Sequence, residues 1–200
     1  ATAAYEPFDY SVLVDSTAST ATGFTGSWTC GTTPSMVTGL TYTDLPTDNN
    51  SLSSTSGRQS VNLAAPLSSG TKWISFLFNQ TGNNGGNICG VYFPNGGSGL
   101  FFGYGLSPFS PAQGRLGLGS TDTTSASPQS AGNLASTFLA TFSTTPYLVA
   151  MEIEFNTSGV FDTVKVYLNP TADAASPGVA ATYTVTTFDV GMITGIGFQN

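Results

Sequence analysis

Tyr147 to Pro170 reads YLVAMEIEFNTSGVFDTVKVYLNP, and the fold follows from it. Val149, Met151, Ile153 and Phe155 alternate with Ala150, Glu152 and Glu154, the period of two that sends successive side chains to opposite faces of a strand. Beyond Asn156–Gly159, Val164, Val166 and Leu168 share a face opposite Thr163, Lys165 and Tyr167. A hairpin with both apolar faces on one side needs paired residue numbers of odd sum. A sum of 317 leaves Ser158-Gly159 as a two-residue turn and sets Glu152 against Lys165, and sums two higher or lower keep the same facing. The hairpin therefore has a core side and a charged side, and the rest of the chain must supply strands to cover the core side.

Working outward, Lys72–Gln80 (KWISFLFNQ) places Ile74, Phe76 and Phe78 on one face and Trp73, Ser75 and Leu77 on the other. Both faces are partly apolar, which predicts a central strand covered by a loop or a partner. Asn87–Pro94 and Gly99–Leu106 read as two further strands. The second has Phe102, Tyr104 and Leu106 on one face, with Phe101 and glycines on the other, so a close neighbour or a bulge is expected there. Tyr5–Val14 opens the chain as a strand, with Phe8, Tyr10, Val12 and Val14 inward. Ser16–Thr33 reads as loop, Thr38–Leu45 as a short strand, Pro46–Ser56 as loop, and Gln59–Leu63 as a strand ending near Pro66. Arg115–Gly119, Thr182–Val190 and Met192–Phe198 complete the strands, and Leu134–Phe142 reads as a short helix or a buried arm. Many short strands with turn signals between them, and almost no helix, predict one all-β domain: a two-sheet antiparallel β-sandwich of jelly-roll type.

Composition narrows the function. Charged residues are 8% of the 200 and the net charge is −7, against a usual charged share of about 25%. The only cations are Arg58, Lys72, Arg115 and Lys165, too few to form the cluster that phosphate neutralisation needs, so nucleic acid is excluded as a partner. No apolar run reaches the length of a membrane span. A surface poor in charge resists association weakly. Serine, threonine and asparagine in place of lysine point to an extracellular chain, and Ala1-Thr2-Ala3-Ala4 is the kind of stub that signal-peptide cleavage leaves. In an oxidising compartment Cys30 and Cys89, the only cysteines, are expected to form a disulfide; two buried thiols are the alternative.

Five segments in order carry a family likeness: YEPFDY at 5–10, GFTGSW at 23–28, TGLTYTDL at 38–45, YLVAMEIEF…DTVKVYLNP within 147–170, and MITGIGF at 192–198. Together they resemble the LamG-like, concanavalin A-like jelly-roll domains of secreted bacterial proteins, many of which carry a PEP-CTERM sorting tail. The resemblance implies an extracellular β-sandwich. It implies no single activity, because that fold hosts lectins, adhesion modules and glycosidases.

Candidate chemistry is sparse. With no histidine, Ser-His-Asp and Cys-His catalysis and histidine-ligated zinc are excluded. Glu152 and Glu154 are the one carboxylate pair on a strand face, and retaining glycosidases use two carboxyls about 5 Å apart. Jelly-roll glucanases, to which the resemblance invites comparison, carry Glu-x-Asp-x-Glu or Glu-x-Asp-x-x-Glu. Residues 152–157 are Glu-Ile-Glu-Phe-Asn-Thr, so the third acid is missing. Asp44, Asp48 and Asn49 offer oxygen ligands for calcium, the one metal worth weighing; their spacing matches no EF-hand loop, and Asp and Asn capping their own backbone in ordinary turns is the alternative. No cofactor is expected. Trp73, Tyr104, Tyr92 and Trp28 are the candidates for stacking on a sugar, with core packing as the alternative for each. Asn49, Asn79 and Asn156 each begin an Asn-x-Ser/Thr triplet. The expected function is a non-catalytic structural or adhesive subunit that associates with copies of itself in a cell-surface layer, fibre or matrix. The N-terminal segment and residues 81–87 and 171–181 are the expected contacts. A carbohydrate-binding module taking an extracellular glycan is the alternative, and a glycoside hydrolase the third reading.

Overall fold

A computed structural model describes residues 4–6, 8, 10, 15–19, 21–42, 50–53, 57–79, 89–95, 98–104, 115–122, 132–134, 140–141, 145–157, 159–171 and 180–199. Among them are fourteen strands and no helix: β1 (Phe24–Cys30), β2 (Ser35–Thr38), β3 (Asn50–Ser53), β4 (Arg58–Leu67), β5 (Gly70–Phe78), β6 (Cys89–Phe93), β7 (Ser98–Tyr104), β8 (Arg115–Asp122), β9 (Gly132–Asn133), β10 (Ala140–Thr141), β11 (Tyr147–Phe155), β12 (Asp162–Leu168), β13 (Tyr183–Phe188) and β14 (Ile193–Gln199). An eight-stranded sheet runs β1-β4-β14-β6-β7-β8-β10, with β9 also on β8. A four-stranded sheet runs β13-β12-β11-β5, and β2-β3 form a small hairpin. Every pairing is antiparallel.

The β11–β12 hairpin takes the expected register: Glu152 pairs with Lys165 and Val149 with Leu168. Val149, Met151, Ile153, Val164 and Val166 are buried together against Phe93, Leu100, Phe102 and Leu118 of the larger sheet. Aromatic contacts join the two layers, with Phe76 and Phe102 at 5.5 Å and Phe78 and Phe102 at 5.9 Å between centroids, both edge-to-face. This is the alternating inward pattern of a β-sandwich core. The turn is longer than two residues. The strands stop at Phe155 and Asp162, and the Val160 N–H donates to the Thr157 carbonyl (2.9 Å) with Gly159 at φ 84°.

Several expected strand boundaries shift. Tyr5–Val14 contains no strand among its described residues; Tyr5 makes a single bridge to Thr22. Phe8 and Tyr10 instead cover a second core around Trp28 and Val61, with Met36, Leu52, Ile196 and Phe198 at its edge. The stretch read as loop over 16–33 holds β1, and part of 46–56 forms β3. Of the strand expected at Thr38–Leu45, the described residues 38–42 hold only Thr38 in a strand, at the end of β2, and 43–45 lie outside the described residues. Strand β4 continues through Pro66 because its ladder with β14 slips between Leu67 and Asn62, and proline is tolerated where no ladder hydrogen bond is required. Strand β5, expected at the sheet centre, ends the four-stranded sheet among the described residues. Leu134 packs on the main core, and its N–H donates to the Leu118 carbonyl (3.0 Å).

The second face of the larger sheet explains the glycines of β6, β7 and β14. Gly90 and Gly103 are cross-strand partners, and a Cβ on either would meet the Phe101 ring within 2.8 Å. A Cβ on Gly197 would enter the Tyr92 ring. Above that ring lies the Arg58 guanidinium, 4.9 Å from its centroid, whose Nε–H donates to Gln199 Oε1 (2.9 Å). Aromatic rings laid on bare backbone thus fill this face in place of side chains.

Candidate functional site

The outer face of the four-stranded sheet gathers most of the polar candidates. Glu152 sits between Lys165 on β12 and Trp73 on β5. Its Oε2 accepts from Lys165 Nζ (3.0 Å) and from the Tyr167 hydroxyl (3.3 Å). Trp73 stacks on Tyr167 with centroids 5.6 Å apart, so Tyr167 is buried while Trp73 stays 41% exposed. The hydrogen bond that Lys165 donates to Glu152 holds its ammonium above the ordinary lysine range. Burial first, then the Glu152 charge, push the Tyr167 phenol up. Glu154, two residues on, is exposed beside Thr71 and Thr163. The two glutamates therefore share the outer sheet face, Glu154 exposed and Glu152 buried in an ion pair with Lys165. The face offers one buttressed indole beside a carboxylate–ammonium pair and a border of hydroxyls.

Three of the four aromatics considered for sugar stacking are not exposed. Trp28 (1%) fills the second core, Tyr104 (2%) stacks on Phe78 in the main core, and Tyr92 (3%) lies on Gly197 under Arg58. Residue type marked them as sugar-stacking candidates; their strand parity turns Trp28 and Tyr104 inward, and Tyr92 is capped. Asp44, Asp48 and Asn49 lie outside the described residues, as do residues 81–87 and most of 171–181.

The expected disulfide is not formed: Cys30 and Cys89 are free thiols. Cys30 ends β1 and Cys89 begins β6, with β4 and β14 between them. Three strand spacings put them about 14 Å apart across the sheet, twice the Cα separation of about 7 Å that a disulfide can bridge. Burial raises the Cys89 thiol to about 11, and burial with the nearby Asp15 charge raises Cys30. Both thiols therefore stay protonated at neutral pH.

A second feature lies at the corner where the β11–β12 turn meets the β13–β14 loop. Val160 (54% exposed), Phe161 (58%) and Met192 (45%) are presented to solvent there. Buried Asp162 accepts from the Asn156 N–H (2.6 Å) and the Val190 N–H (2.8 Å). Asp189 accepts from the Gly159 N–H (3.3 Å) and the Gly191 N–H (2.9 Å), and the Asn156 amide donates to the Phe161 carbonyl (2.7 Å). The corner is thus pinned by polar clasps while its apolar side chains face outward. Comparison with protein-family models, curated proteins and solved structures found no match to this chain. No helix among the described residues is long and apolar enough to cross a membrane. The corner was invisible to the alternation reading, because a turn residue has no strand parity. The one signal was the pair Val160-Phe161 inside a turn, two apolar residues where polar ones are usual.

Proposed function

We propose that this chain is a non-catalytic, extracellular structural or adhesive subunit that associates with copies of itself in a surface layer, fibre or matrix. The observation that carries this reading is the corner: three large apolar side chains held outward by a hydrogen-bonded scaffold. Exposed apolar groups on a rigid support mark an interaction surface. A surface with so little charge sets up weak repulsion between copies. The resemblance to concanavalin A-like domains of secreted proteins supports the extracellular placement and the jelly-roll topology. The test is the mass of the purified protein over a range of concentrations, with electron microscopy of the same sample. The reading expects dimers and higher assemblies that persist in added free sugars and weaken in Phe161→Ser; a monomer at every concentration would refute it.

Trp73 supports a second reading, a glycan-binding module. An indole fixed from below by Tyr167, beside Glu152 and Lys165, can stack on a sugar ring while the charged pair hydrogen-bonds its hydroxyls. A glycan-array screen with Trp73→Ala as control decides it: binding lost in the variant supports a sugar site, and no binding by the wild type removes it.

A further inference from the structure

On the outer face of the four-stranded sheet one row of side chains crosses all four strands. Trp73 on β5 is the cross-strand partner of Glu152, Glu152 of Lys165, and Lys165 of Thr184 on β13. Three strand spacings make the row about 14 Å long, more than a single sugar ring covers. Its two ends, Trp73 and Thr184, are exposed. Along β5 the neighbours of Trp73 on this face are Thr71 and Ser75, both small and exposed, so neither closes over the indole.

Each member of the row has a different part. Tyr167 stacks under Trp73 with centroids 5.6 Å apart, so the platform is set before a ligand arrives. Glu152 is buried and already accepts from Lys165 and Tyr167. In the middle of the row, the group that reaches outward is therefore Lys165, whose side chain is 34% exposed. An ammonium carries three N–H donors, and the bond to Glu152 (3.0 Å) uses one. Thr184 ends the row with a hydroxyl that both donates and accepts.

Charge narrows the sugar class. Among the described residues of this face Lys165 is the one cation, its charge is met by Glu152, and Glu154 stands exposed beside the pair. A uronate or sulfated sugar would find no guanidinium fork here and would approach a chain of net charge −7. Shape narrows the linkage. A pyranose with equatorial substituents presents a face of C–H bonds that lies flat on an indole, and β-linkage continues such rings as a flat ribbon. An axial linkage turns the chain off the sheet. Recognition of a chain end needs a pocket, whereas this row lies on a sheet face.

The geometry points to a binding row for the interior of a neutral, β-linked hexopyranose chain, with one ring stacked on Trp73 and the next rings hydrogen-bonded by Lys165 and Thr184. This inference rests on the glycan-binding reading and names the sugar class and the direction in which the chain lies.

The experiment is calorimetric titration of the full chain with a hexamer and a dimer of β-1,4-linked glucose and with a galacturonate hexamer. The same titrations are run on Trp73→Ala and Thr184→Val, both at exposed positions, with melting temperatures to check the fold. The glucose hexamer should bind at least about tenfold more tightly than the dimer, and the galacturonate hexamer more weakly than either. Trp73→Ala should weaken the hexamer by about tenfold or more. Thr184→Val should weaken the hexamer about threefold and leave the dimer unchanged. Equal affinity for dimer and hexamer, or tighter binding of the galacturonate, overturns the row and leaves a glycan site at Trp73 standing. Hexamer binding that Trp73→Ala leaves intact overturns the site itself, and no saccharide bound by the wild type overturns both the row and the glycan reading.

Discussion

At the scale of single residues, the second core hangs on a chain of hydrogen bonds. The Trp28 indole N–H donates to the Tyr10 hydroxyl (3.3 Å), which donates to Glu6 (3.1 Å). Tyr10→Phe keeps the ring and removes the acceptor, leaving a buried N–H without that bond. The expected loss is about 1–3 kcal/mol, read from urea unfolding. The glycines divide into two kinds by the same logic. A Cβ at Gly103 would strike the Cys89 carbonyl and lie 2.6 Å from the Gly90 Cα, both backbone, so neither can swing away. A Cβ at Gly159 would meet nothing, and only its φ of 84° opposes alanine. Gly103→Ala should therefore cost roughly 3 kcal/mol by overpacking, and Gly159→Ala nearer about 1 kcal/mol from left-handed backbone strain. Equal losses in the two variants would contradict the packing described for β6 and β7.

At the scale of elements, legibility followed from period. The hairpin β11–β12 alternates without interruption, so its strands, facing and register could be read directly. Strand β1 is hard to read because its stretch is rich in Ser, Thr and Gly and its ladder slips between Thr25 and Thr29, where Gly26 takes φ 75°; a bulge breaks the alternation that reveals a strand. For the candidate site, Trp73 was legible because Ile74, Phe76 and Phe78 claim the opposite face. The Trp73–Tyr167 stack was not, since it depends on β5 pairing with β11, a contact that sequence order does not dictate. The clasp at Asp162 was hidden for the same reason. Its two acceptors join the turn to the β13–β14 loop. Asp162→Ala should cost about 2–4 kcal/mol by leaving two N–H donors unanswered. It should also raise hydrogen exchange at Asn156 and Val190 together; exchange raised at only one would show that the two bonds do not act as one clasp.

At the scale of the whole molecule, stability rests on the sandwich core and not on a covalent tie, and pH exposes one consequence. Cys89 sits at the mouth of the main core, where burial lifts its thiol from the ordinary 9.0 to about 11. In the unfolded chain the thiol ionises first. Between these two values the folded state holds a proton that the unfolded state has released, so stability falls as pH rises. The contribution is fully present below pH 9 and is lost as pH climbs through the folded value, in all about 2–3 kcal/mol at 1.36 kcal/mol per unit. Tyrosine and lysine titrate in the same window, so the quantity to measure is the difference between wild type and Cys89→Ala. The variant should lose stability less steeply from pH 9 to pH 11, while added reductant leaves the wild-type melting temperature unchanged. Parallel pH profiles would place the Cys89 thiol in water rather than in the core, and a drop in melting temperature on reduction would require a disulfide that the separation of β1 and β6 forbids.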